Sequence, residues 1–334
     1  MDAPVHRPFF SVLITTYDRR DQIERCVRSC TQQTLDDFEI VVVDDASTDD
    51  TSTVLAAIEE PRLRVVTQPS NGGISAARRA AVEHARGEWL VMLDSDWELI
   101  PESLDRLRGL IDELPDGVRI IRSGLRWDDG SVSPAVMPTA RITDYHGRLE
   151  WLEVLARQGG ASDAGHCMHR AVFEAANYPA DRRGSVFVLW ETNLAVAEPS
   201  LWTSEVLGLQ HVDGPGSVSR DATIDRLLRE SSDQLWVAEE MLAKHGSELA
   251  RVAPHYRRWL LESAAREAFL AGQRRKGVRN TWAARRAGAS APKLAVTLLL
   301  GLARAPALAG VKVAGRRWRA KRAGRISPRR GGPR

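Results

Sequence analysis

The chain has 334 residues, of which 43% are hydrophobic and 27% are charged, with a net charge of +3. This balance is that of an ordinary globular protein, so composition does not predict disorder and selects no function by itself. The length allows one large α/β domain with an appended segment.

The charge is divided unevenly along the chain. Residues 255–334 hold 21 Lys and Arg against Glu262 and Glu267, a local balance of 21 − 2 = +19 that leaves 3 − 19 = −16 for the remainder. An acidic body with a basic end indicates that the end meets an anionic partner, either a phospholipid surface or nucleic acid.

From Phe9 onward, short apolar runs alternate with amphipathic stretches, the pattern of βα units around a mainly parallel sheet flanked by helices. The predicted strands are Phe10–Ile14, Phe38–Val43, Leu63–Thr67, Trp89–Leu93 and Val118–Ser123. Helical spacing of Ile23, Cys26, Val27 and Cys30 predicts the first helix, Ile74–Arg86 predicts another, and Pro101 is expected to open a third.

Later segments are mostly helical. Helices are predicted near 149–157 and 170–176, and again over 227–242 and 256–270. We therefore expect an α/β domain over 1–222, with one part at about 9–100 and a second at about 101–222. A helical basic extension over 223–315 and a disordered basic tail over 316–334 are expected to follow.

Redox state and location are read from the cysteines and the first residues. Cys26 and Cys30 lie four apart on one helix face, which suits a disulfide poorly, so all three cysteines of the chain are predicted to be reduced. Met1–Pro8 lacks the apolar core of an export signal. The chain is accordingly expected to be cytoplasmic, and its basic end predicts a peripheral position on the inner face of the plasma membrane.

Polar clusters follow three of the predicted strands. Thr15-Thr16-Tyr17-Asp18 follows the first, Asp44-Asp45 the second and Asp94-Ser95-Asp96 the fourth. Ligands of open α/β sheets bind outside the carboxyl ends of the strands, so these clusters are expected to converge.

Asp94-Ser95-Asp96 carries the sharpest chemical signal. Two carboxylates one residue apart at a strand end supply oxygen ligands for a hard divalent cation, which would neutralise a departing diphosphate. The alternative is a solvated turn or a helix cap.

Other strand-end residues suit a nucleotide. Asp44 or Asp45 can accept a hydrogen bond from a base, or one of them can merely cap a helix, while Tyr17 can stack on the base or pack locally. The glycines of Asn71-Gly72-Gly73 allow close approach of a ligand and Arg78 can reach phosphate, although a plain loop and a solvated helix fit equally well.

Taken together, the segments resemble glycosyltransferase family 2. The resemblance is carried by Ser11–Tyr17 (SVLITTY), Val43–Asp49 (VDDASTD), Asn71–Arg78 (NGGISAAR) and Leu93–Asp96 (LDSD). It implies the GT-A fold and inverting transfer from a nucleotide-diphosphate sugar, with UDP as the expected nucleotide and Mn²⁺ or Mg²⁺ as cofactor. On this resemblance, residues 1–222 are the expected catalytic domain, with a donor-binding half at about 9–100 and an acceptor half at about 101–222. It is strong over the first 100 residues, thinner to about 220 and absent beyond.

The resemblance also assigns residue roles. The nucleotide sugar is expected at Thr15, Tyr17, Asp44, Asp45, Asn71, Arg78, Asp94 and Ser95, and the metal at Asp94, Asp96 and His211. Glu191, in Trp190-Glu191-Thr192-Asn193, resembles the family's general base. Trp97 and Asn193 depart from the family, since many relatives carry acids there. His166, Cys167 and His169 lack a fourth ligand for zinc and are interpreted as core or as a wall of the acceptor pocket.

The basic end has its own prediction. Leu294–Leu302 is too short to span a bilayer, so an in-plane helix on an anionic membrane surface is favoured over a tail that binds nucleic acid, for which no recognition fold is present. The predicted acceptor is a saccharide or a lipid-linked saccharide of the cell envelope. Rival interpretations are a sugar-phosphate nucleotidyltransferase and a nucleotide-sugar binding protein without turnover.

Overall fold

The computed structural model describes residues 7–133, 144–157, 165–175, 194, 196, 198–211 and 224–303. The chain divides into two compact units. One comprises Met1–Gly214 with His245–Tyr256, and the other comprises Pro215–Lys244 with Arg257–Arg334.

The first unit is built on a nine-stranded sheet within the described residues. Its strands are β1 (Phe10–Thr16), β2 (Phe38–Asp44), β3 (Leu63–Thr67), β4 (Trp89–Asp94), β5 (Trp97–Leu99), β6 (Ile120–Trp127), β7 (Val132–Ser133), β8 (Gly165–His169) and β9 (Ser200–Gln210). They lie in the order β3-β2-β1-β4-β8-β6-β9-β5, with β7 beside β6. All five predicted strands are present, and β6 begins two residues later than expected.

Helices connect and cover these strands. They are α1 (Arg20–Thr31), α2 (Thr51–Ala56), α3 (Ile74–His84), α4 (Ser103–Asp112), α5 (Tyr145–Arg157) and α6 (Arg170–Ala175). Pro101 does not open α4 as predicted. It lies two residues ahead of the helix, in a turn where the Ser103 N–H donates to the Ile100 carbonyl at 3.0 Å.

The interior parallel strands β1, β2 and β4 are buried along almost their whole length because helices cover both faces of the sheet. Ile14 shares a core with Ile23 of α1, whereas Leu13, its neighbour on β1, shares a core with Ala81 of α3 on the opposite face. Interior strands of such sheets are buried on both sides and therefore lose the apolar–polar alternation of a surface strand. The predicted layered α/β arrangement is confirmed.

Beyond β4 the sheet becomes mixed. Strand β8 runs antiparallel to both β4 and β6, and β5 runs antiparallel to β9. Cys167 of β8 is buried in the core, and His169, the last residue of β8, lies in register with Trp89 of β4 and has its Nε2 3.3 Å from Glu88. The position of Cys167 agrees with the predicted core role of that residue, whereas the His169 side chain is 27% exposed.

All three cysteines are buried and free. Burial raises the pKa of the Cys30 thiol to about 12, and burial also raises the pKa of Cys26 and Cys167. The thiols thus act as small apolar core groups, as the sequence predicts.

The second unit is helical. Its helices are α7 (Ile224–Val252), α8 (Pro254–Leu270), α9 (Arg274–Arg286) and α10 (Ala291–Ala303). The end of α7 and the start of α8, within His245–Tyr256, are assigned to the first unit. Gly277 of α9 and Gly301 of α10 both lie against the ring of Phe269, where a Cβ on either glycine would overlap a ring carbon. Among the described helices, none combines the length and apolarity required to cross a membrane.

Candidate active site

The carboxyl ends of β1, β2 and β4 form one edge of the sheet. Thr15 of β1 lies in register with Val43 of β2 and Asp94 of β4, and Thr16 lies in register with Asp44. The chain passes from β1 to β2 and β3 on one side of β1 and then crosses to β4 on the other side, so the strand order reverses between β1 and β4. Ligands of open α/β sheets bind at such points.

Asp94 is the last residue of β4 and its side chain is 37% exposed. Its Oδ1 accepts a hydrogen bond from Arg78 Nη2 at 2.5 Å, and the Arg78 side chain is only 7% exposed. Helix α3 buries the arginine stem and directs the guanidinium to the strand end. The pair therefore places a buried positive charge beside a carboxylate that stays open to solvent.

Asp45 organises the glycine loop before α3. Its Oδ1 accepts from the Gly72 N–H at 2.8 Å and its Oδ2 accepts from the Gly73 N–H at 2.7 Å. Gly73 has a φ of 86°, which favours glycine, and α3 starts at the next residue. The carboxylate thus fixes Asn71-Gly72-Gly73 against β2, a role that the sequence did not indicate.

Asp44 is 1% exposed and its Oδ1 accepts from Ser47 N at 3.0 Å and from Ser47 Oγ at 2.5 Å. This loop is tied to the one after β1, because the Asp18 N–H donates to Ser47 Oγ at 2.9 Å and Asp18 Oδ1 accepts from Thr48 N at 2.7 Å. Asp18 and Ala46 both have positive φ, at 50° and 60°. Hydrogen bonds therefore join the two tight loops that follow β1 and β2, where the sequence predicts the nucleoside.

Tyr17 stands at the rim of this edge with 40% of its surface exposed. The negative charge of Asp18 is the main cause that raises the pKa of the Tyr17 phenol, and partial burial adds to it. The ring is neutral at pH 7 and presents an open aromatic face, which is the property that base stacking requires.

A second cluster of polar side chains, centred on His211, lies beside Asp96. The Asp96 carbonyl accepts from the His211 N–H at 3.0 Å, because β5 and β9 pair just beyond it. The imidazole lies between two carboxylates, with Nδ1 2.7 Å from Asp128 Oδ1 and Nε2 2.5 Å from Glu98 Oε1. Sequence reasoning placed His211 near the acidic triplet but missed Asp128 and Glu98, which no motif marks.

The donor set suits a hard divalent cation. Asp94 and Asp96 are half-buried at one turn and offer oxygen ligands. Across the described residues, no group of three or more His, Cys, Asp and Glu side chains is arranged as a preformed cation site. A bound diphosphate would supply the remaining oxygens, as is common for Mg²⁺ at phosphates.

Ser95 and Asn71 are the two remaining residues predicted to bind the nucleotide sugar. Ser95 is 8% exposed between the two acids, and Asn71 is half-buried at the start of the glycine loop. Glu191, the predicted base, and its neighbour Asn193 lie outside the described residues. The edge therefore unites Thr15, Tyr17, Asp44, Asp45, Arg78 and Asp94 by position, whereas the place of Glu191 stays a prediction.

Comparison with protein families gives a match over residues 11–159 to the model described as "Glycosyl transferase family 2". The chain is 39% identical over 107 residues to chondroitin synthase of Pasteurella multocida and 39% identical over 105 residues to succinoglycan biosynthesis protein ExoO of Rhizobium meliloti. Each match covers 31% of this chain, but only 11% and 29% of those two relatives.

Solved structures resemble the fold over a longer part. Staphylococcus aureus TarS 1-349 in complex with UDP-GlcNAc matches 83% of this chain and 90% of its own, with a TM-score of 0.53 and 18% identity. Mannosyltransferase PcManGT from Pyrobaculum calidifontis, in complex with GDP-Man and Mn²⁺, matches 93% of this chain and 88% of its own, with a TM-score of 0.52 and 18% identity. The predicted GT-A fold is confirmed.

Proposed function

Because residues 11–159 belong to glycosyltransferase family 2, we propose that this chain transfers a sugar from a nucleotide-diphosphate sugar to an acceptor hydroxyl, with inversion at the transferred carbon. One observation carries the proposal more than any other. The strand register puts Thr15 beside Asp94, with Arg78 bonded to Asp94, at the point of the sheet where the strand order reverses.

Donor binding is assigned to that edge. Tyr17 stacks on the base and Asp44 accepts from it through the oxygen that Ser47 leaves open, while Thr15 lines the floor. Arg78 binds diphosphate, since guanidinium matches phosphate oxygens in a bidentate way. The named complexes of TarS with UDP-GlcNAc and of PcManGT with GDP-Man support a nucleotide-sugar donor, and UDP is our choice of nucleotide.

A divalent cation, Mn²⁺ or Mg²⁺, is proposed to bind Asp94 and Asp96. Such an ion supplies charge neutralisation for the diphosphate as it departs. The Mn²⁺ in the PcManGT complex supports this choice. Ligation by His211 is also proposed, and it requires Nε2 to exchange Glu98 for the cation, because that carboxylate lies 2.5 Å away.

The transfer step is a single displacement. The acceptor oxygen forms a bond to the anomeric carbon while the bond from that carbon to the diphosphate oxygen breaks, and the acceptor proton passes to the carboxylate of Glu191. The nucleoside diphosphate leaves with the electron pair, on the side where Arg78 lies.

The acceptor is proposed to be a cell-envelope saccharide or a lipid-linked saccharide. The relatives named for chondroitin and succinoglycan support a polysaccharide product. We also propose that the basic carboxyl-terminal part meets an anionic membrane surface, with no specific nucleic acid as partner. That partner would hold the enzyme near a lipid-borne acceptor.

Calorimetry with a panel of UDP-, GDP- and dTDP-sugars, each with Mn²⁺ or Mg²⁺, tests the donor. The expected result is one donor that binds the native chain and binds Asp94→Asn at least tenfold more weakly. Undiminished binding to a chain that lacks both Asp94 and Asp96 carboxylates would overturn the proposal.

Turnover separates the proposal from its rivals. Glu191→Gln is expected to keep donor affinity and lose transfer, whereas a binding protein has no transfer to lose. A nucleotidyltransferase would instead release pyrophosphate from a nucleoside triphosphate and a sugar phosphate. The sequence has no glycine-rich phosphate loop after β1, which argues against that activity.

A further inference from the structure

Helix α9 presents a straight row of basic and aromatic side chains. Arg275, Arg279, Trp282 and Arg286 are all exposed, and Trp282 is 63% exposed. At about 100° per residue, these four positions fall within an arc of about 60°, and the row is about 16 Å long. A large exposed indole amid three guanidinium groups is unusual for a surface that contacts only water.

The opposite side of α9 faces the core of its own unit. Its buried residues are Gly277, Asn280, Thr281 and Ala284. On the same wheel these positions centre opposite the row, so packing within the unit already holds the helix with the row directed to solvent. The presentation therefore does not depend on a partner.

Acidic neighbours neutralise the row only in part. Helix α9 itself has no acidic residue. Glu239 of α7 lies 3.5 Å from Arg279 and 2.9 Å from Lys276. Within the described part of the chain, Arg275 and Arg286 have no ion pair, so the two ends of the row keep their full positive charge.

The same unit exposes apolar side chains on α10. Leu299 is 68% exposed and Val296 is 48% exposed. A partner that is only anionic gains nothing from these groups or from the Trp282 ring. An anionic bilayer surface suits both features, because guanidinium groups bind lipid phosphates while tryptophan partitions to the headgroup level and aliphatic side chains enter the acyl boundary.

We infer that the Arg275–Arg279–Trp282–Arg286 face of α9 is the surface that docks this chain onto anionic phospholipid. The inference rests on the membrane contact in the proposed function and assigns the basic and aromatic part of that contact to α9, which precedes the Leu294–Leu302 run and the terminal basic tail. Docking needs neither insertion of a spanning helix nor refolding of α9.

Co-sedimentation of the full chain with vesicles tests the surface. The vesicles contain equal parts of phosphatidylglycerol and phosphatidylcholine, with pure phosphatidylcholine as the neutral control. Arg275→Glu/Arg286→Glu is the test variant. Arg274→Glu/Arg285→Glu is the matched control, since it makes the same charge change at the same two ends of α9, about 90–110° from the centre of the row.

The test variant is expected to bind the anionic vesicles at least tenfold more weakly, with the control variant within about threefold of the native chain. Trp282→Ala is expected to weaken binding as well. Brominated lipid is expected to quench the fluorescence of the native chain more than that of Trp282→Phe. Circular dichroism melts verify that each variant is folded.

Three results would overturn the inference. They are equal losses for the test and control variants, unchanged binding of the test variant, and a native chain that ignores anionic vesicles. Loss of binding to soluble hyaluronan with unchanged vesicle binding would assign the face to an acidic glycan instead.

A failure of the catalytic proposal can be distinguished from a failure of the membrane-docking inference. Asp94→Asn is expected to bind vesicles normally and to bind the nucleotide sugar weakly, and the α9 test variant is expected to do the reverse. A chain that docks on lipid but binds no donor would refute the catalytic proposal alone.

Discussion

The two ends of the parallel sheet use carboxylates in opposite ways. At the amino ends, Glu39 of β2 is 3% exposed and accepts from Ser11 Oγ at 2.7 Å, from Arg86 Nε at 2.9 Å and from the Gly87 N–H at 3.3 Å. At the carboxyl ends, Asp94 is 37% exposed and accepts a side-chain hydrogen bond from Arg78. One carboxylate is saturated by its own chain and the other is open to a ligand.

This contrast separates stability from binding within one sheet. A buried carboxylate that accepts several hydrogen bonds contributes to folding because its removal strands the donors around it. A carboxylate with free lone pairs at a strand end contributes little to folding and can bind an external cation or donor group. The two ends should therefore respond to mutation in different assays.

The largest expected effect is at the open end. Asp94→Asn should lower kcat/KM at least about 100-fold, because it weakens cation binding and the Arg78 contact, which together supply several kcal/mol to transfer. Its melting temperature should stay within about 2 °C of the native value, since the side chain is partly exposed. Asp36→Asn, at a side chain that is 98% exposed, is the matched control for both assays.

At the amino ends of the strands, a mutation of Glu39 should change the stability and leave donor binding unchanged. Glu39→Ala should lower the free energy of unfolding by about 2–4 kcal/mol, because the Ser11 hydroxyl and the Arg86 N–H lose their acceptor. Donor affinity of the folded fraction should not change. Glu24→Ala is the control. It removes a surface ion pair with Arg28, in which the Glu24 side chain is 51% exposed, and it should lower the free energy of unfolding by about 0.3–0.5 kcal/mol. Equal losses in urea unfolding for the two variants would contradict the contrast.

Asp45 sharpens the comparison, because it lies at the open end yet uses both oxygens within the chain. Asp45→Asn can accept from Gly72 or Gly73 but not from both, and leaves one N–H unpaired at a cost of about 1–3 kcal/mol. The glycine loop should loosen, so donor KM should rise about tenfold together with a measurable loss of stability. Steady-state kinetics and urea unfolding on the same preparation check this, and a change in only one of them would count against it.

The smallest effect is a difference in pH dependence. Burial acts to raise the pKa of Glu39, but the hydrogen bonds from Ser11 and Arg86 outweigh it and hold the pKa below the usual value. The stability that this supplies is fully present above the unfolded pKa of about 4.3 and is lost as pH falls through the folded pKa. From pH 7 to about pH 4, the native chain should lose more unfolding free energy than Glu39→Gln. Identical slopes would argue against a charged Glu39.

Local pattern was sufficient for most elements of the first hundred residues, although it did not predict the short strand β5 at Trp97–Leu99. Continuous apolar runs marked β1, β2 and β4, and the spacing of Ile23 to Cys30 marked α1, because both signals depend on neighbours along the chain. The position of Asp94 at a strand end, and its convergence with Thr15, followed from the βα order. Pro101 misled only the start of α4, since a proline suits a turn before a helix as well as its first residue.

What the sequence determined by itself was therefore the layered α/β order, the acidic strand ends and the basic carboxyl-terminal part. Only the tertiary structure decided that β8 and β9 complete a mixed sheet, that Asp128 and Glu98 enclose His211, and that Asp45 binds the glycine loop. Each of these depends on hydrogen bonds between residues distant in sequence, such as Asp128 with His211. Hydrophobic periodicity carries no information about such pairs, because it reports which face of an element is buried and not what it is buried against.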